Sequence, residues 1–421
     1  MTPDQIIAIL VFVIVMALIV SDKVHQALAA LAGAVVLLVT GVLSFDAAVE
    51  SIDFNTIGVL CGMMMFVAVV KSCGIFEYIA IRAAKAAKGN PWMIMVYFVI
   101  ITAVLSALLD NVTTILLLGP MTIMVCKILD ENPVPYFLAE VMASNIGGTS
   151  TLIGDPPNIM IGSEAGLSFF DFLQYNGPII VIILVALLLV YRFKYGRKMK
   201  VDPEAREKVM ALDENEVVSD PRLMKISIAM IILVAVAFMF HGSLGISSSV
   251  IALTAACIIM FLGKFNIEEA LKGVEWGTIA FLLGLFVVVG ALNDTGVIAI
   301  FANWIFDVTG GNTVLAMIVI LWVSALLSSI LNNIPFVATV IPIIMALQAS
   351  GMDVYPLWWA LSLGVCLGGN GTLVGASANV VLAAISEKEG HPISFIYFFK
   401  QCFPIMIMSI ALCTVYLLVL F

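Results

Sequence analysis

Long apolar segments separated by short polar stretches fill almost the whole chain. Runs long enough to cross about 30 Å of hydrocarbon recur from the first residues to the last, which leaves no room for a sizeable soluble domain. In the first half, the clearest runs cover residues 6–20, 24–43, 57–70 and 178–191. This pattern predicts an all-α polytopic membrane protein.

Two of the segments are interrupted by polar, glycine-rich stretches. Residues 144–158 read SNIGGTSTLIGDPPN, and residues 367–379 read LGGNGTLVGASAN. Glycine exposes the backbone, proline removes donors, and Asn, Ser and Thr side chains compete for backbone hydrogen bonds, so a helix stops there. Non-helical backbone at membrane depth persists only where protein or a water-filled cavity satisfies its polar groups. Each stretch therefore predicts a broken helix and points to a binding site.

Two further segments of the first half combine apolar and polar residues. The apolar passage 91–129 is interrupted by LLDNVTT at residues 108–114, which predicts either two crossings or a re-entrant helix pair with a polar tip. The amphipathic segment 75–88 carries Arg82, Lys85 and Lys88, a pattern typical of a helix on the membrane surface.

After a hydrophilic linker, the pattern begins again. IDFNTIG at residue 52 is echoed by VEWGTIA at 274, LLDNVTT by ILNNIPF at 330, and GGTSTLIGDPPN at 147 by GGNGTLVGASAN at 368. All three echoes are displaced by about 221 to 222 residues, which indicates gene duplication. The predicted units are a first repeat (1–195), a linker (196–222) and a second repeat (223–421).

The distribution of basic residues decides between the two topologies. With re-entrant hairpins, each repeat has five crossings, and an odd number makes the repeats inverted. A cytoplasmic linker then puts all 19 Lys and Arg residues on or near the cytoplasmic side. Double crossings would move Lys127 and other basic residues to the opposite side. We therefore predict two inverted repeats, each with five transmembrane helices including one broken helix, and with one re-entrant hairpin. Both termini are expected outside the cytoplasmic (inner) membrane, and the first helix is expected to be retained.

Composition narrows the class of function. The chain has 62% hydrophobic and 11% charged residues and a mean hydropathy of +1.16, far from the soluble range. Its net charge of −9 is not accompanied by a basic patch, so no nucleic-acid partner is expected. The seven cysteines lack metal-ligand spacing, and there is no HExxH, GxSxG or P-loop sequence. An intramembrane enzyme is thus disfavoured, and no cofactor is expected besides a coupling ion.

The two hairpin tips and the two broken helices are predicted to converge near the membrane midplane, the geometry of an alternating-access transporter. Helix ends there offer N–H groups to anions and carbonyls to Na⁺, and neutral side chains supply further ligands. The candidate ion-binding residues of the first repeat are Asp110, Asn111, Thr113, Thr114, Asn145, Gly147, Gly148, Thr149, Asp155 and Asn158. Those of the second repeat are Asn332, Asn333, Gly369, Asn370, Thr372, Ser377 and Asn379. Possible Na⁺ ligands among them are Asn111, Asn145, Asn333 and Asn370. The alternative is that these side chains only join helices.

Ionisable residues are more informative, because a charge at membrane depth costs ~3 kcal/mol or more. Asp110 and Asp155 lie at the breaks, and their counterparts in the second repeat are Asn332 and Ala376. This asymmetry favours a role in H⁺ or Na⁺ coupling, while capping of the freed backbone is the alternative for Asp155. Glu140, roughly one turn before the break and near the cytoplasmic end of its helix, is a weaker candidate. No Lys or Arg lies at either break, so a bound anion would need a co-bound cation.

Four motifs in order also carry a resemblance. DNVTT, NIGGTSTLIGDPPN, NNIP followed by ATVIPI, and GGNGTLVGASANVV resemble the ion-transporter superfamily that includes the arsenite pump ArsB, the NhaD-type Na⁺/H⁺ antiporters, the citrate transporters and the divalent-anion/Na⁺ symporters. The similarity covers nearly the whole chain and is closest to the melanosomal P protein subgroup. It implies an inverted-repeat homodimer with a dimer-forming scaffold and a transport domain that moves like an elevator.

The resemblance also assigns ligands by motif. The Ser-Asn-Thr set of the anion symporters corresponds to Asp110, Asn111 and Thr113. In the second repeat it corresponds to Asn332, Asn333 and Pro335. Asp in place of Ser, and Pro in place of Thr, depart from the pattern of a two-Na⁺ dicarboxylate symporter.

The predicted function is secondary active transport of a small inorganic or organic ion, coupled to H⁺ or Na⁺. A Na⁺/H⁺ antiporter and an arsenite or antimonite efflux carrier are the alternatives, and a passive ion channel is the alternative from another class. The expected partners are the ion, the lipid bilayer and a second copy of the chain.

Overall fold

The structure is a computed structural model that describes residues 1–21, 23–196, 199 and 203–421. These residues form helices and connecting turns, and no β-strand occurs among them. The all-α prediction is therefore confirmed. The predicted linker, 196–222, lies partly outside the described residues.

The first repeat contains helices of very different length, from six to 19 residues. Their bounds are α1 Pro3–Ser21, α2 Gln26–Val39, α3 Phe45–Glu50, α4 Phe54–Lys71, α5 Ile75–Ala86, α6 Pro91–Ser106, α7 Asn111–Leu129, α8 Val134–Gly148, α9 Pro156–Ala165, α10 Phe169–Tyr175 and α11 Gly177–Tyr191. A π-helical turn, Arg192–Gly196, extends α11, and the linker contributes α12, Pro203–Met210.

The second repeat follows the same order of helices. Their bounds are α13 Pro221–Leu244, α14 Ser248–Gly263, α15 Ile267–Lys272, α16 Trp276–Asp294, α17 Val297–Thr309, α18 Thr313–Ser328, α19 Asn333–Ala349, α20 Tyr355–Gly368, α21 Ser377–Lys388 and α22 Phe395–Leu420. Helices α1 to α9 thus have counterparts in α13 to α21. The opposite orientation of the two copies stays a prediction.

Seven described helices are long and apolar enough to cross a membrane, and the number is eight if the bent pair α17 and α18 counts as one span. The seven are α1, α4, α7, α11 with its π-helical extension, α13, α16 and α22. Five shorter apolar helices, α2, α6, α14, α19 and α20, lie among them. The chain is therefore a multi-pass membrane protein. Ten crossings with two hairpins stay a prediction, as does the side on which the termini lie.

Helices of opposite repeats pack in pairs, with α4 along α14 and α2 along α16. Glycine makes these close contacts possible, because a Cβ at Gly62 would lie 2.6 Å from the carbonyl carbon of Ala252, and one at Gly284 would lie 2.5 Å from that of Ala30. Small residues at helix contacts are typical of membrane proteins. With α1 and α13, these helices form a unit that we call the scaffold group.

The remaining core is built around the helices that carry the polar stretches. Helix α6 packs on α8 and α18 on α20, while α7 contacts α21 and α9 contacts α19. Helices α6 to α9 and α18 to α21 are called the hairpin group below. The breaks in α8–α9 and α20–α21 thereby come to lie next to the N-termini of α7 and α19.

The amphipathic segment forms α5, whose apolar face packs on α6 and α7. Its basic residues Arg82 and Lys85 contact Glu214 of the linker at 3.1 Å and 2.6 Å. At the ends of α7 and α21, Lys127 contacts Glu389 at 2.6 Å. These ion pairs connect segments that the sequence predicts to be cytoplasmic. The membrane-surface position of α5 stays a prediction.

Candidate functional site

Each helix break is held by the side-chain amide of one asparagine. Asn158 donates to the carbonyl oxygens of Gly148, Thr149 and Thr151 at 3.4, 3.2 and 2.9 Å. In the second repeat, Asn379 donates to the carbonyl oxygens of Gly369 and Thr372, both at 2.8 Å. These carbonyls have lost their helical partners, so the two amides stabilise the breaks.

The glycines at the first break allow the backbone of one helix to touch the next. A Cβ at Gly147 would lie 2.2 Å from the carbonyl oxygen of Ala103, and one at Gly148 would lie 2.5 Å from Oδ1 of Asn111. Gly369 is less crowded, since its Cβ would lie 3.2 Å from that of Ala376. The predicted glycines thus serve close packing between the break and the hairpin tip.

The side chain of Asp110 caps α7. It accepts the backbone N–H of Thr113 at 2.8 Å and the hydroxyl of the same residue at 2.5 Å. Thr114 donates its hydroxyl to the backbone carbonyl of Asp110 at 3.0 Å. In the second repeat, Asn332 caps α19 in the same way by accepting the N–H of Ile334 at 3.4 Å. The acid at position 110 therefore has a structural task that an amide performs in the other repeat.

Asp155 differs from Asp110 because it makes no capping hydrogen bond, although it stands immediately before α9. Its side chain is 1% exposed and accepts the Asn333 amide at 3.2 Å and 3.4 Å. Ala376 takes the corresponding place before α21 with nearly the same backbone, φ −145° and ψ 144° against φ −145° and ψ 134°. The backbone does not need the carboxylate, and the capping alternative for Asp155 does not describe this structure.

A cavity of about 50 Å³ joins the two hairpin tips to the two breaks. Of the predicted residues, it is lined by Asp110, Asn111, Asp155, Asn333 and Ser377. Asn332 lies beside it and donates to the Ser377 hydroxyl at 3.4 Å. The structure thus brings together residues from both repeats that are up to 267 positions apart in sequence.

The scaffold group contributes an acid to this cavity that the sequence reasoning missed. Glu275, immediately before α16, and Thr278, in its first turn, line the cavity together with Asp110. The Glu275 carboxylate accepts the Thr278 hydroxyl at 3.0 Å and does not cap its helix. Glu275 lies in VEWGTIA, the echo of IDFNTIG, at the place that Asp53 occupies in the first repeat. An acid at the same place in both repeats was the sequence signal that could have identified Glu275 as a candidate.

The cavity is lined by three carboxylates and, among the described residues, by no Lys, Arg or His. The neutral polar groups around it are the amides of Asn111 and Asn333 and the hydroxyls of Thr278 and Ser377. Carboxylate, amide and hydroxyl oxygens are ligands of alkali cations, and carboxylates also bind protons. The arrangement therefore attracts cations and repels free anions.

A second polar cluster lies deeper, where the two broken helices meet. Asn145 donates its amide to Oδ1 of Asn370 at 2.9 Å and to Oδ1 of Asn379 at 3.2 Å. Its own Oδ1 is buried and has no hydrogen-bond partner among the described residues. The hydroxyls of Thr149 and Thr372 donate to backbone carbonyls and do not take part in the cluster.

The predicted residues thus fall into two sets, one around the cavity and one that holds the breaks together.

A larger cavity of about 450 Å³ is lined by none of the predicted residues. It lies between the end of α3 with the turn that follows it, α9, α16 and α19. The acids Glu50, Asp53 and Glu164 line it. Asp53 caps α4 by accepting the backbone N–H groups of Asn55 and Thr56 at 2.9 Å and 3.1 Å.

The chain is similar in sequence and in fold to known transporters. Residues 16–364 match the family model described as citrate transporter. The chain is 43% identical to an uncharacterized transporter of Mycobacterium tuberculosis over 98% of each chain. It is 34% identical to the P protein of Homo sapiens over 96% of this chain and 58% of that protein. The crystal structure of the Alcanivorax borkumensis YdaH transporter matches 99% of this chain and 98% of its own, with a TM-score of 0.63 and 13% identity, which shows similarity of fold.

Proposed function

The chain belongs to the citrate transporter family, and on this premise we propose that it is a secondary active transporter that couples the movement of a small ion to H⁺ or Na⁺. Its helices make it a multi-pass membrane protein, and relatives that match nearly its whole length are named transporters. These findings support transport rather than enzymatic catalysis.

The observation that carries the proposal is the burial of the Asp155 carboxylate without a positively charged partner among the described residues that line the cavity. The Asp155 carboxylate is buried, accepts the side-chain amide of Asn333, and is not needed by the backbone around it. An ionised carboxylate at such a depth is costly unless a cation or a proton neutralises it. Asp155 is therefore the proposed binding site of the coupling ion, and Asn333 orients its carboxylate from the opposite repeat.

The same charges bear on the transported ion. A free tricarboxylate would meet Asp110, Asp155 and Glu275 without a basic residue to offset the repulsion. A cation, a neutral species or an anion accompanied by cations fits these groups better. Within these classes, cation exchange of the Na⁺/H⁺ type is the simplest, because the site then needs only the oxygen ligands already present.

For the transport movement we propose an elevator mechanism in a homodimer of the cytoplasmic membrane. Its support is the division of the helices into a scaffold group and a hairpin group, each drawn from both repeats. The cavity with Asp155 lies between these groups, since Glu275 belongs to one and Asp155 to the other. A sliding movement of the hairpin group would carry Asp155 away from Glu275.

The test is transport by the purified protein in liposomes with imposed pH or Na⁺ gradients and a panel of ions. We expect at least one ion to accumulate against its own gradient when one of the two gradients is imposed. Movement of every ion only down its electrochemical gradient would indicate a channel and contradict the proposal.

A further inference from the structure

A second carboxyl group is buried in the hairpin group, away from the cavity. Glu140 lies in the middle of α8, and 1% of its surface is exposed. One oxygen accepts the hydroxyl of Thr122 on α7 at 2.6 Å. The other oxygen is buried and has no hydrogen-bond partner among the described residues.

The carboxyl group also lacks a compensating charge. In the described chain, Glu140 takes part in no ion pair, and helices α6, α11 and α20, which pack on α8, contain no Asp, Glu, Lys, Arg or His. Two titratable side chains that interact with Glu140, Cys126 on α7 and Tyr136 on α8, are themselves buried. An ionised carboxylate with one hydrogen bond in such surroundings is strongly disfavoured, so the group is neutral unless a cation reaches it.

The charged residues on the other neighbouring helices are accounted for elsewhere. Lys127 of α7 pairs with Glu389 at 2.6 Å, on the exposed side of the molecule. Glu387 and Lys388 at the end of α21 and Lys400 of α22 are exposed. Glu131, just beyond α7, is partly buried, and burial together with the neighbouring Asp130 raises the pKa of its carboxyl.

The fold does not require an acid at this place. The second repeat has the buried residues Leu361 and Ile344 where the first has Glu140 and Thr122. Both pairs lie in equivalent helices, α20 and α19 against α8 and α7. A purely apolar contact therefore suffices between these helices, and the acid with its hydroxyl partner is specific to the first repeat.

A row of serine hydroxyl groups lies between Glu140 and the cavity. Ser144 is one helical turn further along α8, on the same face as Glu140. Its hydroxyl lies 3.1 Å from that of Ser106 and donates to the backbone carbonyl of Asn111 at 3.3 Å. The Ser106 hydroxyl donates to Oδ1 of Asn111, which lines the cavity together with Asp155. The second repeat has Val365 in place of Ser144, so this row is also confined to one repeat.

We propose that Glu140 is a second proton-binding site, which takes up and releases one proton during transport through the hydroxyls of Ser144 and Ser106. Solvent supplies the proton, the neutral carboxylic acid holds it, and the carboxylate is regenerated when it leaves. Each serine hydroxyl that relays it accepts one proton and gives up another. The role in transport rests on the proposed function, whereas proton binding itself does not.

Proton binding is tested on the full-length protein in lipid by infrared difference spectroscopy between acidic and alkaline pH, without any substrate. We expect a carbonyl band of a protonated carboxylic acid that changes with pH, is absent from Glu140→Gln and persists in Asp155→Asn. Glu131→Gln is the control for loss of a carboxyl group in the turn between α7 and α8, and it should leave the Glu140 band unchanged. A spectrum of Glu140→Gln identical to that of the wild type would overturn the proposal, as would a Glu140 band that does not respond to pH.

Two further measurements keep the result unambiguous. Thr122→Val keeps the shape of the side chain and removes only the hydrogen bond to Glu140, so it should shift the same band to higher frequency even if Glu140→Gln fails to fold. In liposomes, Glu140→Gln should lose pH-driven transport. If the band responds to pH but the wild type shows no pH-driven transport, the proton coupling of the proposed function is wrong and the role of Glu140 in transport falls with it.

Discussion

The side-chain amide nitrogen of Asn333 lies 3.2 Å and 3.4 Å from the two carboxylate oxygens of Asp155. This contact joins the tip of one hairpin to the broken helix of the opposite repeat. It has no symmetric equivalent, because the place of Asp155 in the second repeat is taken by Ala376. The two copies of the fold therefore supply different parts of one site.

The first prediction is that Asp155→Asn removes coupling without removing the fold. The amide keeps the shape of the side chain, but it neither binds a proton nor attracts a cation as a carboxylate does. We expect folded protein whose transport no longer responds to a pH or Na⁺ gradient. The matched control is Glu164→Gln, an exposed carboxyl at the other end of α9, which should transport normally. Full gradient-driven transport by Asp155→Asn would place the coupling ion elsewhere.

The second prediction concerns Asn333 as the orienting residue. Asn333→Ala should reduce transport strongly, because its side-chain amide donates to Asp155 at a depth where other donors are scarce. If it acts only through Asp155, the double variant Asn333→Ala with Asp155→Asn should transport no worse than Asp155→Asn alone. Additive losses would show that Asn333 also contacts an ion itself. Asn111→Ala is expected to abolish transport in the same assay.

The third prediction separates residues that hold the breaks from residues that bind ions. Asn158→Ala removes the donor to the buried carbonyls of Gly148 and Thr151, and Asn379→Ala removes the donor to that of Gly369. The carbonyls of Thr149 and Thr372 keep Asn176 and Gly375 as donors. Each unsatisfied group costs about 1–3 kcal/mol, so both variants should lower the melting temperature measured in detergent. Asp110→Asn should melt close to the wild type, since Asn332 shows that an amide caps the hairpin helix. Unchanged melting of Asn158→Ala would argue for an ion-binding role instead.

The fourth prediction concerns the contact between the linker and α5. Lys85, the backbone around Glu214, and Arg82 hold the pKa of the Glu214 carboxyl down to about 2. A lowered pKa means that the contact is complete above the ordinary value of 4.5 and is lost as the pH falls from there towards 2. A spin label in α12 should therefore keep the same mobility across the neutral range and become mobile only under acid conditions. Glu214→Gln should release the linker already at neutral pH, whereas Glu216→Gln, an exposed neighbour, should not.

The fifth prediction tests the orientation in the membrane. In a background without the exposed Cys257, an Asp46→Cys variant should react with an impermeant thiol reagent from outside the cell. Variants Glu204→Cys and Glu387→Cys should not, because the positive-inside pattern predicts both regions to be cytoplasmic. Asp171 is less suitable as an external site because it belongs to the capping box of α10. Labelling of Glu204→Cys in intact cells would reverse the predicted orientation.

The broken helices could be predicted from sequence because their cause is local. The predicted stretch 144–158 contains the end of α8 at Gly148 and the start of α9 at Pro156. Glycine and proline act through their own backbone, so no knowledge of distant residues is needed. The equal displacement of three motifs likewise sufficed to predict that the second half would repeat the helices of the first.

The roles of the individual polar residues could not be predicted in this way. Nothing near Asp110 or Asp155 in sequence tells that one caps a helix while the other contacts Asn333. Glu275 stands at the end of an apolar segment, where an acid is ordinary, and only the packing of α16 against the hairpin tips brings it to the cavity. The roles of Asp155 and Glu275 depend on contacts between segments more than a hundred residues apart in sequence.

The absence of basic residues around the cavity, in the part of the chain that the structure describes, also bears on leakage by the proposed carrier. Without a bound cation or proton, the hairpin group would have to carry the bare charge of Asp155 past the mostly apolar helices of the scaffold group. A penalty of ~3 kcal/mol makes that passage roughly a hundredfold rarer than passage of the neutralised form. Return of the unloaded carrier would thus be suppressed by the site itself, and each cycle would require an ion bound at Asp155 without a separate gate.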